Sequence, residues 1–261
     1  MLILGIESAS DQCGCALAAE DGVIAETRLA LPRRHAEALA PQMRFVCQQA
    51  GVALGDVEAI AVDHGPGLYT GLRAGLATAK ATAAALGIGV VQVCSLEALA
   101  FGAAPLVESG EVIISALDAR RGEVFWAAYQ VDETDLAEVI SGQRRHIPGL
   151  TKQPGEKGFD SRLEFLVLPR LDTPKGRADV IFSPDGLLDY TAGCLVHVGN
   201  GNASPEDPMP AELLYPSPGA VALLGREQAL AGAAVAPEAA EPVYLRPPDA
   251  SPPSGDRFVR P

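Results

Sequence analysis

A short apolar strand that ends on a carboxylate and runs into a hairpin occurs twice in this chain. The first copy is the apolar run at residues 2–6, closed by Glu7. Ser8-Ala9-Ser10-Asp11 is turn chemistry, residues 13–19 form a second apolar run, Glu20-Asp21-Gly22 turns again, and residues 23–29 make a third run. Short runs separated by Gly, Asp and Ser turns predict an antiparallel meander. The second copy is the run at 112–117, closed by Asp118. It turns through Ala119-Arg120-Arg121-Gly122 and continues at 123–131 and, after Asp132-Glu133-Thr134-Asp135, at 136–140. Duplication of one three-stranded unit predicts two lobes facing each other, with Glu7 and Asp118 near the floor of the cleft between them.

Between the two meanders the periodicity changes. Pro32 ends the strand pattern, and Leu39, Met43, Val46 and Ala50 form a helical stripe that stops at Gly51. A strand is predicted over 57–62, a glycine-rich turn over 63–71, a long helix over 72–86 ending at Gly87, a strand over 90–93 and a helix from 96. Further on, a strand is predicted at 195–198, followed by Gly199-Asn200-Gly201-Asn202. Ser217-Pro218 opens a last helix over about 219–231, with serine as N-cap and proline in the first turn. The expected organisation is an N-terminal lobe (1–105), a C-terminal lobe (106–246) whose last helix packs back on the first lobe, and a Pro/Ser-rich disordered tail (247–261).

The charge balance narrows the function classes. With 33 acidic and 20 basic residues the net charge is −13, so the chain is a poor nucleic-acid binder by itself. Residues 142–178 run the other way, with eight Lys/Arg against four acids. They read either as a solvated insertion or as a basic arm for RNA or an acidic partner. The five cysteines include no C-x-x-C pair and read as small buried hydrophobes in a reducing compartment. No apolar run approaches the ~20 residues of a membrane span, and the first residues lack a basic n-region, so a cytoplasmic location is expected.

The strongest local motif is Gly65-Pro66-Gly67-Leu68-Tyr69-Thr70-Gly71 before the long helix. Free amides at a helix start can hold an anion, which makes Gly65 and Gly67 candidate phosphate contacts. No Gly-Lys-Ser/Thr follows, so it is not a Walker A loop. The other reading is a tight structural turn with Thr70 as N-cap. The long helix has a large stripe (Leu72, Leu76, Ala79, Ala83, Leu86) suited to its own sheet, and a small one (Ala74, Thr78, Ala81, Ala85). The small stripe either admits another helix backbone closely, as a protein interface, or is a plain alanine-rich surface. The histidines, at 35, 64, 146 and 197, show no i, i+4 pair, and no Gly-x-Ser-x-Gly elbow is present. Glu7 and Asp118 read as ligands of magnesium-bound water or as solvated strand-end acids.

Ile3-Leu4-Gly5-Ile6-Glu7-Ser8-Ala9, Arg34-His35-Ala36-Glu37-Ala38-Leu39-Ala40-Pro41 and Gly65 through Arg73 resemble the TsaB (YeaZ) family. So do Ser95-Leu96-Glu97-Ala98-Leu99, Asp118 through Val124, Gly199-Asn200-Gly201 and Pro242-Val243-Tyr244-Leu245-Arg246. The resemblance covers nearly the whole chain in order. It implies an α/β, two-lobed ASKHA fold, the actin-like ATPase or RNase H-like architecture. It also implies a part in making N6-threonylcarbamoyladenosine at position 37 of tRNAs that read ANN codons.

The related catalytic subunit, TsaD, carries His-Met-Glu-Gly-His where this chain has Ser95-Leu96-Glu97-Ala98-Leu99. Serine and leucine cannot replace imidazole ligands. The resemblance therefore implies a non-catalytic scaffold with no catalytic residue, metal or cofactor of its own, and argues against peptidase activity. ATP and threonylcarbamoyl-adenylate would be handled by the complex. The implied partners are TsaD, the ATPase TsaE through that complex, tRNA mainly through the complex, and a second copy in a homodimer when TsaD is absent. Matching helix positions place partner contacts at Leu39, Met43, Val46, Ala74, Thr78, Ala81 and Ala85. The rival reading is an independent ATPase or small-molecule kinase of the same fold using Glu7, Asp118 and the glycine turns.

Overall fold

The computed structural model describes residues 1–107, 111–131, 163–173, 175, 177, 195–201 and 209–245. The chain runs β1 (Ile3–Glu7), β2 (Cys13–Ala19), β3 (Gly22–Leu29), α1 (His35–Ala50), β4 (Ala59–Gly65), α2 (Tyr69–Leu86), β5 (Gly89–Cys94) and α3 (Ser95–Ala103). It continues as β6 (Val112–Arg120), β7 (Glu123–Val131), β8 (Leu163–Asp172), β9 (Leu195–Val198) and α4 (Pro218–Leu230).

The strands form two sheets with one plan. The first has the order β3-β2-β1-β4-β5 and the second β8-β7-β6-β9. In both, the opening strand (β1 or β6) pairs antiparallel with the next one and parallel with the first strand after the meander (β4 or β9). The duplicated meander is thus repeated at the level of strand order. Its third strand in the second copy is β8, inside the segment read as a basic insertion. The strand expected at 136–140 lies outside the described residues, as do the tail and all of 142–162.

Alternation along β1 and β4 divides the first sheet into two faces. Leu4, Ile6, Ile60 and Val62 are buried in one core with Leu39, Met43 and Val46 of α1 and Leu76, Ala79 and Ala83 of α2. Ile3, Ala59 and Ala61 face the other way, against Val221, Ala222 and Leu224 of α4. The last helix therefore lies on the first sheet. The second sheet packs on α3, where Leu96, Leu99 and Ala103 meet Ile113, Leu117 and Phe125.

Local signals explain the helix ends. α1 and α2 stop at Gly51 (φ 70°) and Gly87 (φ 69°), left-handed positions that suit glycine. Ser217 Oγ accepts from the Ala220 amide at 2.9 Å and caps α4. Thr70 is not a cap: α2 begins at Tyr69, and Leu68 holds the cap position without a side-chain hydrogen bond.

α4 reaches the sheet through small residues on both sides. A Cβ at Gly5 would stand 2.7 Å from the Pro218 carbonyl oxygen, and one at Gly225 would overlap the Ala61 Cβ. Gly225→Ala is expected to cost about 1–3 kcal/mol by overpacking, read as a lower urea midpoint at unchanged slope. Gly55→Ala, with nothing within 4 Å of the added methyl, should stay within about 0.5 kcal/mol of wild type.

Candidate functional site

β1 and β4 run parallel, and their C-terminal ends carry Glu7 and Asp63 on the face that α4 covers. Ligands commonly enter at such strand ends. Here both acids are sealed, each 0% exposed. Glu7 Oε1 accepts from the Ala9 amide at 3.0 Å and from Ser10 Oγ at 3.1 Å, and Oε2 accepts from Gln12 Nε2 at 3.5 Å. Gln12 also donates to the Pro216 carbonyl at 3.1 Å, tying this turn to the entry of α4. Glu7 is therefore not a solvated acid on a cleft floor: the turn that follows it folds back and uses its lone pairs.

Asp63 Oδ1 accepts from Ser95 Oγ at 2.5 Å and from the Gly65 amide at 2.9 Å. Its Oδ2 is buried and has no hydrogen-bond partner among the described residues. Burial pushes the Asp63 carboxyl up to about 7 against the two hydrogen bonds that favour its charge. Burial first, and then the neighbouring Asp63, hold Glu7 well above the usual carboxylate range. The pair carries at least one proton at neutral pH, because two charges side by side in a dry interior repel and lack hydration.

The second duplicated acid, Asp118, stands across from this turn. Its Oδ1 accepts from the Arg120 amide at 2.7 Å, and its Oδ2 pairs with Arg120 Nη1 at 3.1 Å. Arg120 Nη2 reaches Asp11 Oδ2 at 2.6 Å. One guanidinium thus bridges the β1–β2 turn of the first sheet and β6 of the second. Asn200 Oδ1 accepts from the Asp118 amide at 2.9 Å and closes the same corner. The space left among Ser10, Asp11, Gly67, Asp118, Arg120 and Asn200 is about 10 Å³, roughly one water. A nucleotide with its metal does not fit between these groups in this arrangement.

The glycine-rich turn is built for contact with protein. The Leu68 amide donates to the Ala9 carbonyl at 2.6 Å. A Cβ at Gly67 would stand 2.7 Å from the Ala9 Cβ, and a Cβ at Gly71 or Gly75 would overlap Ser8. Gly65 has φ 112°, and a Cβ there would meet the Val243 carbonyl at 2.8 Å. Ser8 Oγ donates to the Gly71 carbonyl at 3.0 Å. His35 Nε2 lies 2.9 Å from the Ser10 carbonyl and 3.1 Å from that of Gln12, so α1 holds the same turn.

The seven candidate partner contacts separate into two groups. Leu39, Met43 and Val46 are 0%, 3% and 0% exposed and belong to the core between α1 and β2. They offer no surface to a partner, because the large stripe of an amphipathic helix faces its own sheet. The small stripe of α2 points outward, with Ala81 and Ala85 exposed and Ala74 and Thr78 half-buried. Thr78 Oγ1 donates to the Ala74 carbonyl at 2.8 Å, so its hydroxyl is satisfied within the helix. Phe45, on the outer side of α1, is 49% exposed.

A family model described as TsaD, tRNA N6-adenosine threonylcarbamoyltransferase, matches residues 21–189. The TsaB protein of Escherichia coli is 35% identical over 137 residues, covering 52% of this chain and 58% of that protein. TsaB of Bacillus subtilis is 36% identical over 143 residues, covering 55% and 61%. A solved structure of YeaZ from Pseudomonas aeruginosa superposes with TM-score 0.70 at 25% identity, over 94% of this chain and 99% of that one. The chain belongs to this family, on its TsaB (YeaZ) branch. The matched region spans a little over half the length of these two TsaB proteins. The two sheets of common plan are the ASKHA, RNase H-like architecture of this family.

For a TsaB-family chain, two positions of α3 now have definite tasks. Ser95 is buried and bonded to Asp63, and Leu99 is 2% exposed in the second core. Neither position points a metal ligand anywhere. Asp63 and Gln12 are site residues that the sequence patterns did not single out, while Ser95 and His35 stood there only as members of family motifs. Asp63 had a usable signal, since it is a third acid at the end of an apolar strand. The sign of its effect on stability follows from its raised pKa: the contribution is full below the ordinary carboxylate value near 4 and is lost as pH rises through about 7. Asp63→Asn should shrink the fall in melting temperature between pH 5 and pH 8 by about half or more, measured by thermal unfolding across that range.

Proposed function

We propose that this chain is the accessory, non-catalytic subunit in threonylcarbamoylation of adenosine 37 of ANN-decoding tRNAs, and that it acts by binding TsaD. The observation that carries this reading is the outward face of α2, where Ala74, Thr78, Ala81 and Ala85 form a strip of small side chains. Such a surface lets a second helix approach closely and bury its own apolar side. The corner between the two sheets supports the same reading, since Arg120 takes the place a cation would need beside Asp118 and Asp11.

In this reading the scaffold binds the competent conformation of TsaD more tightly than the others and so raises its population. TsaE joins through the complex. ATP, the threonylcarbamoyl-adenylate donor and tRNA are handled there. Without TsaD the same face pairs two copies of the chain. The relatives' names support the pathway: two of them are tRNA threonylcarbamoyladenosine biosynthesis proteins. No described helix is long and apolar enough to cross a membrane, and the proposed place of work is the cytoplasm.

The test is co-expression with TsaD and TsaE of the same organism. Ala81→Arg should weaken the TsaD complex by about a hundredfold or more while leaving the melting temperature unchanged, because position 81 is exposed in the free chain. tRNA threonylcarbamoylation should fall with the complex. Wild-type affinity in this variant would show that the face is not the interface. Brisk ATP turnover by the purified chain alone would replace the scaffold reading with an enzyme.

A further inference from the structure

α2 carries two cations and no acid. Lys80 is committed: its Nζ donates to the carbonyls of Glu238 and Ala240 at 3.1 and 2.9 Å. Arg73 is held differently. Its guanidinium carbon lies 3.9 Å from the centre of the Tyr69 ring, and its Nε donates to Tyr244 Oη at 3.1 Å. The two tyrosine rings are 5.1 Å apart and inclined at 35°. Tyr69 and Tyr244 are 41% and 39% exposed, and Arg73 is exposed with them. Among the described residues no carboxylate pairs with Arg73, although the chain as a whole carries a net charge of −13.

Arg73 lies on the exposed strip that continues, four residues at a time, through Ala77 and Ala81. A flexible arginine on such a strip would lose side-chain freedom on binding. This one is oriented beforehand by stacking on one ring and a hydrogen bond from Nε to another, which leaves Nη1 and Nη2 of an exposed side chain as a planar pair of donors for a partner. Tyrosine and arginine together are the residue types that most often dominate binding energy at an interface. The rest of the strip is alanine, so this fork is the polar contact available to a helix laid along it.

We propose that Arg73, preorganised by Tyr69 and Tyr244, is the charged anchor of the α2 face and pairs with an Asp or Glu side chain on the partner's docked helix. The inference rests on the reading that α2 is the partner face, and it adds the residue that sets register and selectivity there. A carboxylate accepts two parallel hydrogen bonds from an arginine fork, which a lysine cannot supply.

The experiment measures affinity for purified TsaD with four full-length variants whose melting temperatures are recorded alongside. Arg73→Lys, which keeps charge but loses the fork and its stacking, should weaken binding about tenfold. Arg73→Gln should also flatten the dependence of Kd on salt. Tyr244→Phe, which keeps the ring but loses the hydroxyl, should raise Kd several-fold. Ala81→Arg serves as the control for the face itself. If Ala81→Arg abolishes binding while the Arg73 and Tyr244 variants bind as wild type, the anchor is wrong and the face stands. If all four bind as wild type, the face reading fails and the anchor with it. Faster amide exchange over residues 240–245 with unchanged affinity would show that the cluster only fastens that segment, and would overturn the proposal. So would a loss of tRNA binding in the Arg73 variants with TsaD affinity intact.

Discussion

Helix α2 can lie against the turn after β1 only because positions 67, 71 and 75 have no side chain. A methyl group at any of them would run into Ser8 or Ala9. The close approach lets the Leu68 amide bond the Ala9 carbonyl, and lets Ser8 bond Gly71 in return. The turn thus held is the one whose amide and hydroxyl groups satisfy Glu7. α1 is drawn to the same place by His35. The two helices end side by side on one face of the sheet, and the outward surface of α2 follows from that seating.

The acids at the strand tips are handled in two ways, and the difference is one of solvent. Glu7 and Asp63 are sealed beneath α4 and α3, where losing hydration favours the neutral form over the charge. Asp118 and Asp11 remain partly open and pair with one arginine. A strand-end carboxylate in this architecture therefore need not serve chemistry. In this chain it holds a turn or joins two sheets.

Much of the plan was legible beforehand for identifiable reasons. Gly51 and Gly87 ended helices because only a left-handed residue closes those turns easily. Ser217 announced α4 through its cap. The duplicated meander foretold two sheets, since turn residues and apolar runs are local properties. Other features were not legible. Leu39, Met43 and Val46 formed a clean stripe, but periodicity says that a helix has an apolar face and not what covers it. Thr70 was a plausible cap by residue type, yet the helix starts one residue earlier and leaves it in the first turn. β8 lies inside a segment rich in lysine and arginine, and its charge hid a strand whose edge pairing with β7 is set by partners distant in sequence.

What the amino-acid order determined by itself was local: where strands and helices begin and stop, which stripes are apolar, and which residues at the strand tips carry charge. The tertiary structure alone decided what those residues meet. Asp63 became a buried neighbour of Glu7 because parallel pairing of β1 and β4 sets them side by side, more than fifty residues apart in sequence. Arg120 reached Asp11 because the second sheet faces the turn of the first. Arg73, already one turn from Tyr69 on α2, gained Tyr244 because the segment after α4 returns to the start of α2. Contacts of this kind depend on positions in space that no short-range pattern encodes, so a site assembled from distant segments becomes visible only once the chain has closed on itself.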